Sequence, residues 1–360
     1  MDGKARKFLE ALVSSFGPSG FEGPVVRTWL DYAKEFADEV YTDAYGNGFA
    51  VLNPKGDPHI VLTGHADEIG LMVSYIDDEG FLWVSSIGGY DAKILPSMRV
   101  RVLSGKEGLP GVIGSLPPHM QRASAGGTEL QRYQFGINVY VDIGASSRAE
   151  AEKHVRVGDP IALDYGLEEL QNDLVCGRAL DNRIGIWSAI EALRRVAQSG
   201  KPPAARITAI AAVQEEIGCM GAGMAAFRED PDLAIAVDVT QSVDHPMAEK
   251  KRWGDMRVGK GPVLAHGSAC HPELTKRIEA VARHKRIPLQ HEAAPRSTGT
   301  DADSIFRTRS GIPTAVVSLA QRYMHSPAET VDLRDLDQIA ELLAALCSGL
   351  KKGERFSVKV

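Results

Sequence analysis

A chain of 360 residues, 44% of them hydrophobic, exceeds the usual size of one compact core and permits two domains. Its net charge of −6, with no basic stripe carrying interleaved aromatics, argues against a nucleic-acid surface, and no apolar run approaches the length of a membrane span. The cysteines, Cys176, Cys219, Cys270 and Cys347, are scattered and lack the paired spacing of a structural zinc site, so a reduced cytoplasmic protein is expected.

The first stretch places Phe8, Leu9, Leu12 and Val13 at helical spacing, an amphipathic helix rather than the continuous apolar core of a signal peptide; the protein is expected to be soluble and unprocessed. A second helix is expected over VVRTWLDYAKEFA, then strands within DEVYTDAYGNGFAVL and HIVLT. Behind HIVLT comes GHADEIG. A strand presents residues two apart on one face, so His65 can offer an imidazole to a metal while Asp67 orients the ring from behind. The competing reading is a hydrogen-bonded polar pair at a strand end.

From about residue 69 to 165 the texture changes. LMVSYI, FLWVSSI, RVRVLS, GVIGSL and INVYVDI are short, β-rich and separated by Gly, Pro and Asp, which predicts a small barrel or sandwich inserted into an α/β domain formed by 1–68 and 166–360. Within the insert, LPPHMQRASAGGTELQRYQF reads as an exposed loop carrying His119.

After the insert, strand-like and helix-like stretches alternate. Asp181 and Asn182 precede Ile184, Ile186, Ile190 and Leu193, an amphipathic helix start at which one residue caps and the other can bind a cation. The run ITAIAAVQ ends at Glu215 and Glu216, before the glycines 218, 221 and 223 that permit a turn. LAIAVDVT carries Asp238, and His325 follows TAVVSL. Ligands gather at the carboxyl ends of strands in open α/β sheets. Two histidines, three carboxylates and a spare Glu converging on such an edge suit Zn, Co, Fe or Ni better than Ca. Lys260, in GKGP, reads as a turn residue or a pocket contact, and TGTDAD as a pocket wall or helix cap in which Asp301 and Asp303 have no clear claim on a metal. Cys219 reads as a bystander thiol near the site. DLRDLDQIAELLAALCSGL closes the chain as an amphipathic helix.

Taken together, FGPSGFE, GHADEIG, RALDNRIG, VQEEIGCMGA, AVDVT, GKGP, STGTDAD, GIPT and RYMHSPAE resemble, in order and combination, the tetrahedral aminopeptidase family of dinuclear metallopeptidases, which includes glutamyl and deblocking aminopeptidases and members labelled endoglucanases. The resemblance implies one metal on His65, Asp181 and Asp238 and another on Asp181, Glu216 and His325, with Asp181 bridging. It also implies Glu215 as general base and Asp67 as the carboxylate behind His65. Two Zn or Co ions per subunit are expected. His119, Lys260 and Asp301 become candidate substrate-binding residues, His119 because it matches a loop histidine that reaches the active site in relatives. The insert is expected to serve dimerisation, and dimers to assemble into a tetrahedral dodecamer. Ala320 and Gln321 stand where relatives often carry a nearby proline, and Cys219–Met220 where Leu-Arg is common, which leaves the ligands untouched.

The expected activity is removal of N-terminal residues from peptides with a free amino terminus, by metal-activated water with Glu215 as base. The alternative in the same chemical class is a metal-dependent carboxypeptidase or N-acyl amino acid deacylase. An inactive binding module of the same fold is disfavoured by the intact ligand set, and a glycosidase by the absence of aromatic platforms for sugars.

Overall fold

In the computed structural model, residues 1–105, 108–117, 120 and 133–358 are described. Helix α1, Gly3–Ser14, is capped by Asp2, whose carboxylate accepts from the Ala5 amide at 2.8 Å, and buries Phe8, Leu9, Leu12 and Val13. Helix α2, Gly23–Ala33, begins with Pro at its first turn and buries Val25, Val26 and Trp29. Strands β1, Glu39–Thr42, and β2, Gly48–Leu52, form an antiparallel pair, and β3, His59–His65, is buried along its whole length.

The chain then enters a separate compact unit comprising Ile69–Tyr165 and His325–Pro327. Its strands β4 (Gly70–Ile76), β5 (Leu82–Ile87), β6 (Arg99–Val102), β7 (Leu109–Ile113), β8 (Tyr140–Asp142) and β9 (Pro160–Leu163) close a barrel in the order β4-β5-β8-β7-β6-β9. Alternate residues such as Leu71, Val73, Leu82, Val84, Val100 and Val102 fill its interior. The closing strand β9 is the one that the short-segment pattern does not reveal. It is only PIAL, too brief to show alternation, and becomes a strand because both β4 and β6 have edges to satisfy. One helical turn, α3 (Arg148–Ala151), precedes it.

The other unit, Met1–Glu68, Gly166–Met324 and Ala328–Val360, resumes with β10 (Glu168–Glu169) and β11 (Leu174–Gly177). There follow α4 (Leu180–Ala197), β12 (Arg206–Ala212), α5 (Met220–Glu229), β13 (Leu233–Gln241), α6 (Lys250–Trp253) and β14 (Val263–Gly267). The chain ends with α7 (Pro272–Lys285), β15 (Gln290–Ala294), α8 (Ala302–Ile305), β16 (Thr314–Gln321), β17 (Glu329–Asp332) and α9 (Leu333–Gly349). The main sheet has eight strands in the order β1-β2-β12-β3-β13-β16-β14-β15, and β12, β3, β13 and β16 run parallel at its centre. Covered on both faces, these strands are apolar almost throughout rather than alternating. The mixed α/β sheet flanked by helices, with a small closed barrel in the insert, is the fold class expected from sequence.

Helix α4 departs from that expectation. Its spacing reads as amphipathic, yet nearly every residue from Leu180 to Val196 is buried, Ser188, Glu191 and Arg183 included. It lies against β3, β12 and β13 on one side and α1 and α9 on the other, so its polar face meets protein instead of water. Glu191 is matched there by Arg194 at 2.7 Å and by the Tyr32 hydroxyl.

Close approach of α4 to β3 depends on glycine. A Cβ on Gly64 would stand 2.4 Å from the Gly185 carbonyl carbon and 2.6 Å from the Ile186 nitrogen, backbone atoms that cannot swing aside. Gly64→Ala should therefore destabilise the protein by ~1–3 kcal/mol, as overpacked cores do. An unchanged urea midpoint would show that α4 can move away from the strand.

At the start of β3, His59 is buried with Nε2 2.9 Å from the Thr208 hydroxyl oxygen. Burial, assisted by the Arg206 guanidinium, lowers its pKa to about 3. The unfolded chain takes up this proton below about pH 6.5 while the folded one does not, so the stability contributed by the neutral ring is lost as pH falls from about 6.5 towards 3. Between about pH 7 and 5 the wild-type urea midpoint should fall further than that of His59→Gln. Parallel falls would remove His59 as the cause.

Candidate metal centre

The strand registers bring the candidate residues to one edge. Ala212 at the end of β12 pairs with His65 at the end of β3, so Glu215 and Glu216 follow at the same level as Asp67. On the other side, Ala236 of β13 pairs with Thr63, which sets Asp238 level with His65. Asp238 is not at a strand terminus as the pattern suggests: β13 runs on to Gln241, and the acid points from inside it.

His65 is 1% exposed and stands at the middle of an acidic ring. Its Nε2 is 3.2 Å from Asp181 Oδ1, 3.7 Å from Glu215 Oε2 and 3.9 Å from Asp238 Oδ1. Ligating atoms of His65, Asp181 and Asp238 lie within 4.8 Å of one another, as do those of His65, Glu215 and Glu216. Burial pulls the His65 pKa down, but Glu215, Asp181 and Asp67 outweigh it and hold the ring's proton well above the ordinary range. Burial pushes Asp238 well up; His65 opposes the rise, and Asp181 and Glu215 add to it. Glu215 is raised chiefly by burial.

This much buried negative charge against one imidazole demands compensation by cations or protons. The donors are one imidazole and several carboxylates, the mixture that borderline divalent ions accept, so the residues fit a bound metal.

Asp67 does more than face His65. Its carboxylate Oδ1 is 3.4 Å from His65 Nδ1, which also lies 3.2 Å from the Asp67 carbonyl oxygen. The same carboxylate accepts from the Ser19 hydroxyl at 2.6 Å and from the Glu215 and Glu216 amides, each at 3.0 Å. Burial would raise its pKa, but His65 first, and then the Ser19 and Glu215 bonds, hold it below the usual range. Asp67 thus anchors the imidazole and the acidic turn together. Nothing in FGPSGFE marks Ser19, whose partner stands 48 residues away.

At the head of α4 it is Asn182 that takes the capping role. Neither Asp181 nor Asn182 has helical backbone angles, and the peptide between them is cis. Asn182 Oδ1 accepts from the Gly185 amide at 2.9 Å and so caps the helix, which leaves the Asp181 carboxylate to face His65. The Asp181 amide donates to Glu329 at 3.0 Å, a partner invisible in the sequence. Ala179, Gln214 and Cys219 all take left-handed φ values of 57°, 60° and 53°, strain concentrated beside Asp181, Glu215 and Glu216.

Other candidates are placed differently. Lys260 is exposed on a turn whose Gly259 and Gly261 amides bond to Asp335. Asp303 accepts from the Thr298 and Gly299 amides, whereas Asp301 is 2% exposed and neither of its carboxylate oxygens has a hydrogen-bond partner. His325, with φ of 59°, groups with the barrel unit, where its Nδ1 lies 3.1 Å from the Gly89 carbonyl oxygen. His119 lies outside the described residues.

With this geometry in hand, comparison with known proteins is decisive on class. The profile of the M42 glutamyl aminopeptidase family matches residues 46–342, and the chain belongs to that family. It is 38% identical to the lysyl aminopeptidase of Pyrococcus furiosus over 96% of this chain and 97% of that one. Among solved structures, the TET aminopeptidase of a marine-sediment Thaumarchaeota archaeon superposes with a TM-score of 0.90 at 33% identity, covering 96% of each chain. The Pyrococcus horikoshii TET1 peptidase, described as assembling into a tetrahedron or a large octahedral shell, matches with a TM-score of 0.83 at 29% identity over 96% of this chain and all of that one. The protein is a metal-dependent aminopeptidase, a hydrolase of peptide bonds.

Behind the site, Glu68 turns away from Asp67 into the core. It bonds to Arg178 at 2.6 Å, to the fully buried Arg183 at 3.0 Å and to the Gly17 amide at 2.9 Å. Glu68→Ala leaves two buried guanidinium groups without their carboxylate and should cost ~3–5 kcal/mol of stability, read as a lowered urea midpoint. A loss below ~1 kcal/mol would mean that water or the Ser15 carbonyl suffices for both arginines.

Proposed function

We propose that the chain is a dinuclear aminopeptidase in which His65, Asp181 and Asp238 hold one divalent ion and Asp181, Glu216 and His325 hold the other, Asp181 bridging. The observation that carries this reading is the ring of Asp181, Glu215 and Asp238 around the buried His65. Oxygen and nitrogen donors of this kind favour Zn or Co. When bound, such ions lower the pKa of water and polarise a scissile carbonyl.

Glu215 is the general base. Its side chain is 11% exposed, and its raised pKa suits a carboxylate that takes a proton from water and passes it to the leaving amine. Asp67 fixes the direction of Glu215 and Glu216 through their amides and keeps the His65 ring oriented. A free α-ammonium group is attracted to the surplus carboxylates, which restricts cleavage to the first residue of a peptide. Asp301 and Lys260 are assigned to substrate binding, as is His119.

The barrel unit is assigned to dimerisation, and the dimers to a tetrahedral dodecamer, in keeping with the assembly described for the Pyrococcus horikoshii relative. A cytoplasmic location is supported by four free cysteines, and among the described residues no helix is long and apolar enough to cross a membrane.

Glu215→Gln should keep its metal content, measured by atomic emission, and lose about 10²–10⁴-fold in turnover of aminoacyl-p-nitroanilides. Near-wild-type turnover would refute the base assignment. Chelation should abolish cleavage of free-amine substrates and Zn or Co should restore it, whereas cleavage confined to N-acetylated members of the panel would make the enzyme a deacylase.

A further inference from the structure

On the far side of Glu215 from His65 lies a cluster none of whose members is assigned as a ligand of the dinuclear centre. Ligating atoms of Glu215, Cys219 and Asp301 lie within 4.8 Å of one another. Cys219 Sγ is 3.2 Å from Glu215 Oε1 and 3.4 Å from the Thr300 carbonyl oxygen. Asp301 is buried, and neither carboxylate oxygen has a hydrogen-bond partner. A buried carboxylate facing a second carboxylate is costly unless a proton or a cation lies between them.

We propose that Glu215, Cys219 and Asp301, with the Thr300 carbonyl, form a third cation site for a thiophilic divalent ion such as Zn2+ or Cd2+, and that filling it arrests the enzyme by engaging Glu215. The arrest rests on the reading of Glu215 as general base; the site itself does not.

The donor set selects the ion. A thiolate beside two carboxylates disfavours the hard ions Ca2+ and Mg2+ and suits Zn2+ or Cd2+. Donor atoms on one four-coordinate zinc, with bonds of about 2.0–2.3 Å, stand about 3.3–3.8 Å apart. The 3.2 and 3.4 Å spacings around Sγ are close to this, so small side-chain rotations close the shell without moving the backbone. On coordination the Cys219 S–H bond breaks, sulfur keeps the electron pair for the metal, and the proton leaves to solvent. Glu215 is then a ligand and its oxygen is no longer available to water. Cys219 stands where an aliphatic residue would leave only two carboxylates, so the site depends on this thiol.

The test is titration of the metal-loaded enzyme with Cd2+, reading bound cadmium per chain, thiolate-to-cadmium absorption in the ultraviolet, and peptide hydrolysis. Wild type should bind one equivalent more than Cys219→Leu, gain the absorption, and lose at least ten-fold in rate as that equivalent fills. Cys219→Leu should keep its basal rate and show neither the absorption nor this phase of inhibition. Asp301→Asn, which keeps the thiol, should weaken the extra equivalent at least ten-fold and serves if the leucine variant does not fold. Equal stoichiometry in wild type and Cys219→Leu, or an extra equivalent without thiolate absorption, would overturn the site and leave a shared proton to compensate Asp301. Extra binding with absorption but undiminished rate would uphold the site and overturn the arrest, and the Glu215→Gln turnover then decides separately whether Glu215 is the base.

Discussion

Buried negative charge gathered around one imidazole at an edge of the parallel sheet is the constraint on which the site depends. Asp181, Glu215 and Asp238 each approach within 4 Å of His65 Nε2, all of them largely removed from water. No arrangement of this kind is stable by hydrophobic packing, and a cation is the compensation that its donor chemistry fits. The fold holds the acids there by means that cannot relax: strand registers set Glu215 and Asp238 level with His65, and glycine contacts press α4 against β3.

Two adjacent acids divide the labour of holding that edge. Asp67 ties the His65 ring, Ser19 and the amides of Glu215 and Glu216 into one unit, so the imidazole and the acidic turn cannot move independently. Glu68, pointing oppositely, clamps Arg178, Arg183 and the Gly17 amide in the core beneath. Arg183 is completely buried, and burial lowers its pKa to about 10, with Glu68 countering the fall. Asp181 is oriented from another direction, by Glu329 on its amide and by Asn182 capping α4.

Much of this was legible in the chain because the relevant signals are local. Apolar runs ending in His or an acid mark strand exits, and β3 and β12 appear where HIVLT and ITAIAAVQ place them. The β-rich texture of the insert likewise follows from short alternating segments. Signals failed where the deciding contact is remote. PIAL carries no alternation and becomes a barrel strand only between β4 and β6. The period of α4 shows one apolar face, yet its polar residues are buried against Tyr32, Arg194 and the arginine clamp rather than exposed. Asp301 reads from TGTDAD as part of a pocket wall or a helix cap, and the sequence cannot report that both its carboxylate oxygens end unpartnered in the interior.

By itself the sequence determined the chemistry that could occur: which donors exist, that they stand at the exits of apolar segments, and that their order along the chain matches a family of metal-dependent aminopeptidases. Residue type and spacing suffice for that, since ligand preference is a property of side chains and periodicity a property of strands and helices. Only the tertiary structure decided how the donors meet. Asp67 serves as the anchor of an acidic turn 148 residues downstream, and Cys219 stands against Glu215 and Asp301. These depend on strand register and close backbone packing, which arise between segments far apart in the chain and leave no mark in either one alone.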